Sequence, residues 1–221
     1  MPTSKTLLIV FLCAVTLPVV ARADVLSGTV TARVRQGGTA AAAVVYAEPL
    51  EGSAPARPGS PVSIEQRDKT FTPRVVAVPV GTVVRFPNSD GIFHNVFSLS
   101  PGNAFDLGLY RSGASKSRTV AAPGLVRVFC NIHPQMTAVI VAAPAPWVTV
   151  AGADGAFRLE LPAGRYRLTA LSERAAAVTA EVTVTGPTAA PTLALDESGF
   201  TAVPHANKFG KPYPPERYTR R

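Results

Sequence analysis

The chain has 221 residues, which is enough for one large β domain or two small ones. It carries 21 prolines and 17 glycines, and many short valine-rich runs replace the long 3.6-residue periodicity of helical proteins, so we predict an all-β fold. The formal net charge is +8, but the basic residues are not interleaved with stacking aromatic residues, so nucleic-acid binding is not expected.

The first 23 residues have the three parts of a secretory signal peptide. Lys5 supplies the positive charge, LLIVFLCAVTLPVVA supplies the apolar segment, and ARA at residues 21–23 fits the small-x-small cleavage rule. We therefore expect a periplasmic or secreted mature chain that begins near Asp24 and has no membrane span. A membrane anchor is the alternative, but the apolar run is short and is broken by Pro18.

Cleavage changes the charge and the cysteine count. Loss of Lys5 and Arg22, with no acidic residue, lowers the net charge from +8 to +6. Cys13 is also lost, so Cys130 becomes the only cysteine of the mature chain. A single thiol in an oxidising compartment cannot form an internal disulfide. Either a metal ion holds Cys130, or this cysteine is a buried and inert side chain.

We predict three blocks of strands in chain order. Residues 24–50 hold two strands, LSGTVTARV and AVVYAEP, and a connection rich in Pro, Gly and Ser follows them. Residues 62–143 hold the strands VSIEQ, VVAVP, GTVVRF, FHNVFS, FDLGLY, LVRVFC and TAVIVA. Residues 144–196 show the clearest alternation, in FRLEL and RYRLTAL. We predict that PAG at 162–164 joins these last two strands as a tight hairpin, after a turn at 153–155.

Residues 197–221 form a basic, Pro-rich tail. Its last 22 residues carry five basic side chains against one acidic side chain, Glu216. The basic residues are Lys208, Lys211, Arg217, Arg220 and Arg221. Such a tail is either a solvated end or a strip that steers the protein toward an acidic partner.

Residues 24–50 and 144–196 together resemble the carboxypeptidase regulatory-like (transthyretin-like) β-sandwich module. The matching positions are Gly28, Val30, Val45, Asp154, Gly155, Phe157, Pro162, Gly164, Tyr166 and Leu168. The resemblance implies a small discontinuous β-sandwich into which residues 62–143 are inserted. The alternative is that residues 24–50 add edge strands to the middle block.

The stretch VFCNIHPQM places Cys130, His133 and Met136 within seven residues, and FHNVFS places His94 36 residues before the cysteine. Two imidazoles, one thiolate and one thioether form a soft ligand set that suits copper, whereas structural zinc sites use several cysteines and histidines. The alternative is that these residues only share a turn. Pro134 limits the freedom of the loop and removes one backbone N–H near the thiolate.

The middle block, residues 62–143, resembles the cupredoxins, the plastocyanin- and amicyanin-like blue copper proteins. The resemblance rests on C-x2-H-x2-M with a proline after the histidine, and on HNV. It implies a Greek-key β-sandwich or barrel with one type 1 copper, held by His94, Cys130 and His133 in the equatorial plane and by Met136 as axial ligand. Asn95 matches the position whose backbone N–H donates to the cysteine sulfur.

The wider pattern FPNSD…FHNVFS…FDLGLY…VFCNIHPQM is similar to plastocyanin-like proteins of the methylamine utilisation type. The middle block is short for a cupredoxin, so we expect it to borrow a strand from the first block.

The resemblance implies a one-electron carrier between protein redox partners, with the ring edge of His133 as the exit for electrons. An enzyme is not expected, because His205 is the only spare histidine and no second copper centre can be built from it. The alternatives are a copper chaperone or store, and a non-redox scaffold with a degenerate copper domain.

Overall fold

The computed structural model describes residues 23–213, and within this range the predicted all-β fold class is confirmed. The described part of the chain contains no helix, and so none that is long and apolar enough to cross a membrane. The predicted signal segment lies outside these residues, except Ala23, which begins the first strand.

The strands are β1 (Ala23–Arg33), β2 (Val44–Pro49), β3 (Val62–Ser63), β4 (Glu65–Arg67), β5 (Thr70–Thr72), β6 (Val75–Pro79), β7 (Val83–Pro87), β8 (His94–Ser98), β9 (Phe105–Tyr110), β10 (Ser115–Thr119), β11 (Gly124–Cys130), β12 (Thr137–Ala143), β13 (Val148–Val150), β14 (Ala156–Pro162), β15 (Gly164–Leu171), β16 (Val178–Val184), β17 (Thr188–Ala189) and β18 (Leu193–Asp196).

The strands at the two ends of the described chain build one β-sandwich. β1 pairs with β14, β17 and β18, and β2 pairs with β13 and β15, which in turn pairs with β16. The alternative in which β1 and β2 extend the middle block is therefore wrong. Gly28 lies opposite Phe157, and a Cβ at this glycine would lie 2.6 Å from the Phe157 ring. The missing side chain thus leaves room for the phenylalanine in the core.

The predicted hairpin at residues 162–164 is wrong. β14 pairs with β1 while β15 pairs with β2 and β16, so the chain crosses here from one sheet to the other. Tyr166 Oη donates a hydrogen bond of 2.9 Å to the carbonyl oxygen of Pro162 across this connection. Alternation predicts that each strand buries one face, but it does not decide whether two buried faces lie side by side or opposite each other.

The middle block builds a second β-sandwich from its own strands. One sheet has the order β6-β12-β11-β8-β9, and the other has the order β10-β7-β3. In the described chain these sheets take no strand from residues 23–50, so the expectation of a borrowed strand is wrong. The sequence SKSRT of β10 was missed because this edge strand is exposed and polar and shows no apolar alternation.

The strand β12 is buried on both faces and joins the two sandwiches. Ala138, Ile140 and Ala142 pack into the core of the middle sandwich. Val139 and Val141 point the other way and form a separate cluster with Val44 of β2. The sheet that carries the cysteine therefore has apolar contacts on both sides, which limits its freedom to shift.

We expect Gly155→Ala to destabilise the protein by about 1–3 kcal/mol more than Gly37→Ala does. Both glycines have positive φ, +80° and +74°, so the two variants share the backbone cost of alanine in this region. A Cβ at Gly155 would also overlap the carbonyl oxygen of Val30, whereas nothing lies within 4 Å of a Cβ at Gly37. Urea unfolding of both variants measures the difference, and equal midpoints would contradict the overlap.

Candidate metal centre

Three of the four predicted ligands converge in the structure. Cys130 Sγ lies 3.7 Å from His94 Nδ1 and 3.8 Å from His133 Nδ1, and the two Nδ1 atoms are 3.2 Å apart. The circle through the corners of this triangle has a radius of about 2.1 Å, close to the bond lengths of about 2.0–2.3 Å that a transition-metal ion forms with imidazole and thiolate. One ion at its centre therefore reaches all three side chains.

Three elements bring these side chains together. His94 is the first residue of β8, and Cys130 is the last residue of the neighbouring strand β11. The loop after β11, residues 131–136, turns back so that Met136 N–H donates to the His133 carbonyl at 3.0 Å and Cys130 N–H donates to the Met136 carbonyl at 3.2 Å. We call residues 130–136 the ligand loop.

The fourth predicted ligand, Met136, is 1% exposed and belongs to the same hydrophobic cluster as Cys130. Asn95, next to His94 on β8, is also buried, and its side-chain amide donates to Asp106 Oδ1 at 2.6 Å. The axial role of Met136 and the bond from the Asn95 backbone N–H to sulfur stay predictions.

A carboxylate that the sequence reasoning missed orients His94. Asp90 Oδ2 lies 2.6 Å from His94 Nε2 and accepts a hydrogen bond from its N–H, so Nδ1 keeps its lone pair free for a metal ion. The backbone N–H groups of Asp68 and Lys69 also donate to this carboxylate. The position of Asp90, four residues before the predicted ligand His94, was the only signal for this role in the sequence.

The charges around the site favour neutral imidazole and ionised carboxylate. Burial and the neighbouring His94 and Lys69 lower the pKa of His133, so its ring is neutral at pH 7. Burial by itself raises the pKa of Asp90, but the hydrogen bonds from Lys69, His94 and Asp68 outweigh it, and the net pKa is lowered. Both groups are thus in the form that supports metal binding.

The donor set fits copper better than zinc. The two Nδ1 atoms lie 3.2 Å apart, close enough for one cation to contact both. Two imidazoles and one cysteine sulfur, with a thioether buried nearby, form a soft ligand set that suits copper, whereas a structural zinc site is tetrahedral and seldom includes methionine.

The described part of the tail is ordered against the ligand loop. Lys208 Nζ lies 2.7 Å from Asp106 Oδ2, so this charge is paired within the protein. His205 and Tyr213 also contact the loop, and nothing in their sequence context predicted this. The basic residues Arg217, Arg220 and Arg221 lie outside the described residues.

One of the predicted ligands reaches the surface. His94 and Cys130 are fully buried, whereas His133 is half-buried. Phe93 and Ile132, the sequence neighbours of His94 and His133, are also exposed, by 58% and 44%. Leu109, which lies opposite Asn95 in the strand register, is exposed by 61%. The site therefore meets the solvent through one imidazole with apolar neighbours.

Comparison with known proteins gives structural similarities only. No family model and no curated protein match the chain. A purple cupredoxin from Nitrosopumilus maritimus is 19% identical, over 37% of this chain and 99% of its own, with a TM-score of 0.34. A Cu(I) amicyanin variant is 17% identical, over 44% and 99%, with a TM-score of 0.36.

The copper-containing nitrite reductase from Thermus scotoductus SA-01 is 26% identical, over 43% of this chain and 25% of its own, with a TM-score of 0.37. The match thus spans a quarter of the reductase. All three similarities cover less than half of the present chain, so the assignment of the metal rests on the side chains themselves.

We expect Asp90→Asn to weaken copper binding by about tenfold or more, because the neutral amide orients His94 less firmly than the carboxylate does. Asp68→Asn is the matched control, since it removes the same charge from an exposed side chain. Asp68 is close to Asp90, because its backbone N–H donates to the Asp90 carboxylate. Competition with a chelator of known affinity measures both. Equal affinities of the two variants would show that Asp90 acts only through its charge.

Proposed function

We propose that the protein is an exported type 1 copper protein that carries single electrons between protein redox partners. The observation that supports this most directly is the triangle of His94 Nδ1, His133 Nδ1 and Cys130 Sγ, with sides of 3.2–3.8 Å. A thiolate and two imidazoles at this spacing suit a copper ion that alternates between Cu(I) and Cu(II) with little change of geometry.

In this proposal His94, Cys130 and His133 hold the copper and Met136 is the weak fourth ligand. The bound copper supplies a one-electron couple. Asp90 keeps His94 in the tautomer that presents Nδ1, and the buried position of Cys130 excludes water from the thiolate. Cys130 is held by a strand whose neighbours in the sheet are β8 and β12, so the protein, rather than the oxidation state, sets the ligand positions.

The exposure of the ligands favours electron transfer over catalysis on a bound substrate. His94, Cys130 and Met136 are at most 1% exposed, so a substrate has no open route to the metal past them. His133 is half-buried and follows the exposed Ile132, so its ring edge is the proposed exit for the electron. A partner protein that docks there for a short time needs only a small contact area.

We expect the protein, expressed as the full chain and loaded with Cu(II), to show an intense visible thiolate-to-copper band and narrow hyperfine splitting in its EPR spectrum. Cys130→Ser removes the thiolate and should abolish the band, whereas Met136→Leu keeps the three equatorial ligands and should retain it with an altered reduction potential. A colourless wild-type protein, or copper binding that does not depend on Cys130, would refute the proposal.

The same samples separate a carrier from a copper chaperone or store. A carrier binds copper tightly in both oxidation states, so chelator titrations of Cu(I) and Cu(II) should both give high affinity. Release of one state to a chelator much more readily than the other would favour copper handling.

We also expect the exported protein to lack residues 1–23, because the small-x-small pattern directs cleavage after Ala23. Intact-mass measurement of the periplasmic fraction, after expression of the full chain in a Gram-negative host, tests this. Retention of the uncleaved chain in the cytoplasm would contradict export.

A further inference from the structure

The segment after the last strand connects the first sandwich to the ligand loop of the second. Glu197 is 4% exposed and anchors the start of this segment, since its carboxylate accepts hydrogen bonds from Ser172 Oγ at 2.6 Å and from Ala41 N–H at 3.0 Å. From there the chain runs to the ligand loop, where residues 204–213 lie. We call residues 204–213 the clasp.

The clasp contacts the ligand loop at three points. Tyr213 Oη donates to the carbonyl oxygen of Cys130 at 2.9 Å, and His205 Nε2 donates to the carbonyl oxygen of Pro134 at 2.7 Å. Lys208 N–H donates to Asn131 Oδ1 at 3.0 Å. The clasp, which lies outside the loop, thus holds Cys130 itself, Asn131 next to it, and Pro134 next to His133.

The clasp also packs on the residue before the cysteine. The His205 ring stacks on the Phe129 ring with centroids 3.9 Å apart and an interplanar angle of 17°. Tyr213 meets His205 edge-on at 5.2 Å. Phe129 in turn packs against Phe97 of β8, so the clasp is in contact with the sheet that carries both His94 and Cys130.

The clasp has an ordered conformation of its own. Asn207 Oδ1 accepts from the N–H groups of Phe209 and Lys211, at 2.9 and 3.1 Å, and Asn207 N–H donates to the Lys211 carbonyl at 2.8 Å. This closed turn presents the Lys208 N–H to Asn131 and brings Tyr213 back to Cys130. Such preorganisation lowers the entropic cost of the three contacts.

A fourth contact extends the clasp to the other ligand strand. Lys208 Nζ lies 2.7 Å from Asp106 Oδ2, and Asp106 Oδ1 accepts from the Asn95 side chain at 2.6 Å. Asn95 follows His94 on β8. The clasp is therefore linked through hydrogen bonds to the residues beside both His94 and Cys130.

We propose that the clasp is a positioning element that fixes the ligand loop before the metal binds, with Tyr213, His205 and Lys208 as its positioning residues. The inference rests on the proposed copper site and deepens it. A loop of seven residues with two internal backbone bonds would otherwise lose conformational freedom when the metal binds, and copper affinity would fall by that cost. The clasp shifts this ordering to the folding step.

The test uses two variants that remove the hydrogen-bond donor to the ligand loop and keep an aromatic ring. Tyr213→Phe and His205→Phe each keep an aromatic ring on Phe129 or beside it. Val203→Ala, at a site 81% exposed just before the clasp, is the control. In the metal-free full chain, we expect backbone amides of residues 131–136 to exchange with deuterium about five- to tenfold faster in each donor variant, since each loses one hydrogen bond.

With copper bound, the double variant should lose Cu(I) to a chelator about 10–100-fold faster than wild type and shift its visible band, while the control matches wild type. Unchanged amide exchange in the loop would overturn the proposal. Faster exchange with an unchanged copper off-rate and band would reduce the clasp to a structural contact and overturn its positioning role.

These outcomes differ from failure of the proposed function. If the wild-type chain forms no blue copper site, the function fails, and the amide exchange of the metal-free protein still decides whether the clasp orders the loop.

Discussion

The site depends on holding one sulfur and two nitrogen atoms, from two strands and a loop, in mutual contact. The Cys130 sulfur and the two Nδ1 nitrogens lie within 3.2–3.8 Å of one another. This arrangement persists only if the surrounding fold prevents the side chains from turning away. Much of the protein around the site can be understood as meeting this requirement, from the carboxylate on His94 to the segment that contacts the ligand loop.

The rigidity begins in the packing of the middle sandwich. Cys130 is fully buried, and β12, which pairs with its strand, is packed on one face against the metal-side core and on the other against Val44 of the first sandwich. A well-packed core resists small displacements because each one opens gaps or overlaps. The first sandwich therefore contributes to the site without supplying any of its four predicted ligands.

The described part of the tail packs against the ligand loop, so the prediction of a solvated end is wrong for residues 204–213, whereas steering toward an acidic partner stays a prediction. Lys208 is paired with Asp106, and His205 stacks on Phe129. His133 stays half-buried in spite of these contacts, so the tail does not cover this predicted ligand fully. Burial and the neighbouring Cys130 raise the pKa of Tyr213 to about 12, so its hydroxyl keeps the proton that it donates at neutral pH.

The sequence by itself determined the all-β class, most of the strands and the residues that converge at the site. Alternation encodes which face of a strand is buried, and C-x2-H-x2-M places soft ligands on one short loop, so both are local properties. Tertiary structure alone decided that β14 and β15 belong to opposite sheets, that Asp90 orients His94, and that Tyr213 reaches Cys130 from 83 residues away. These pairings depend on which surfaces meet after the chain folds, and neither periodicity nor spacing carries that information.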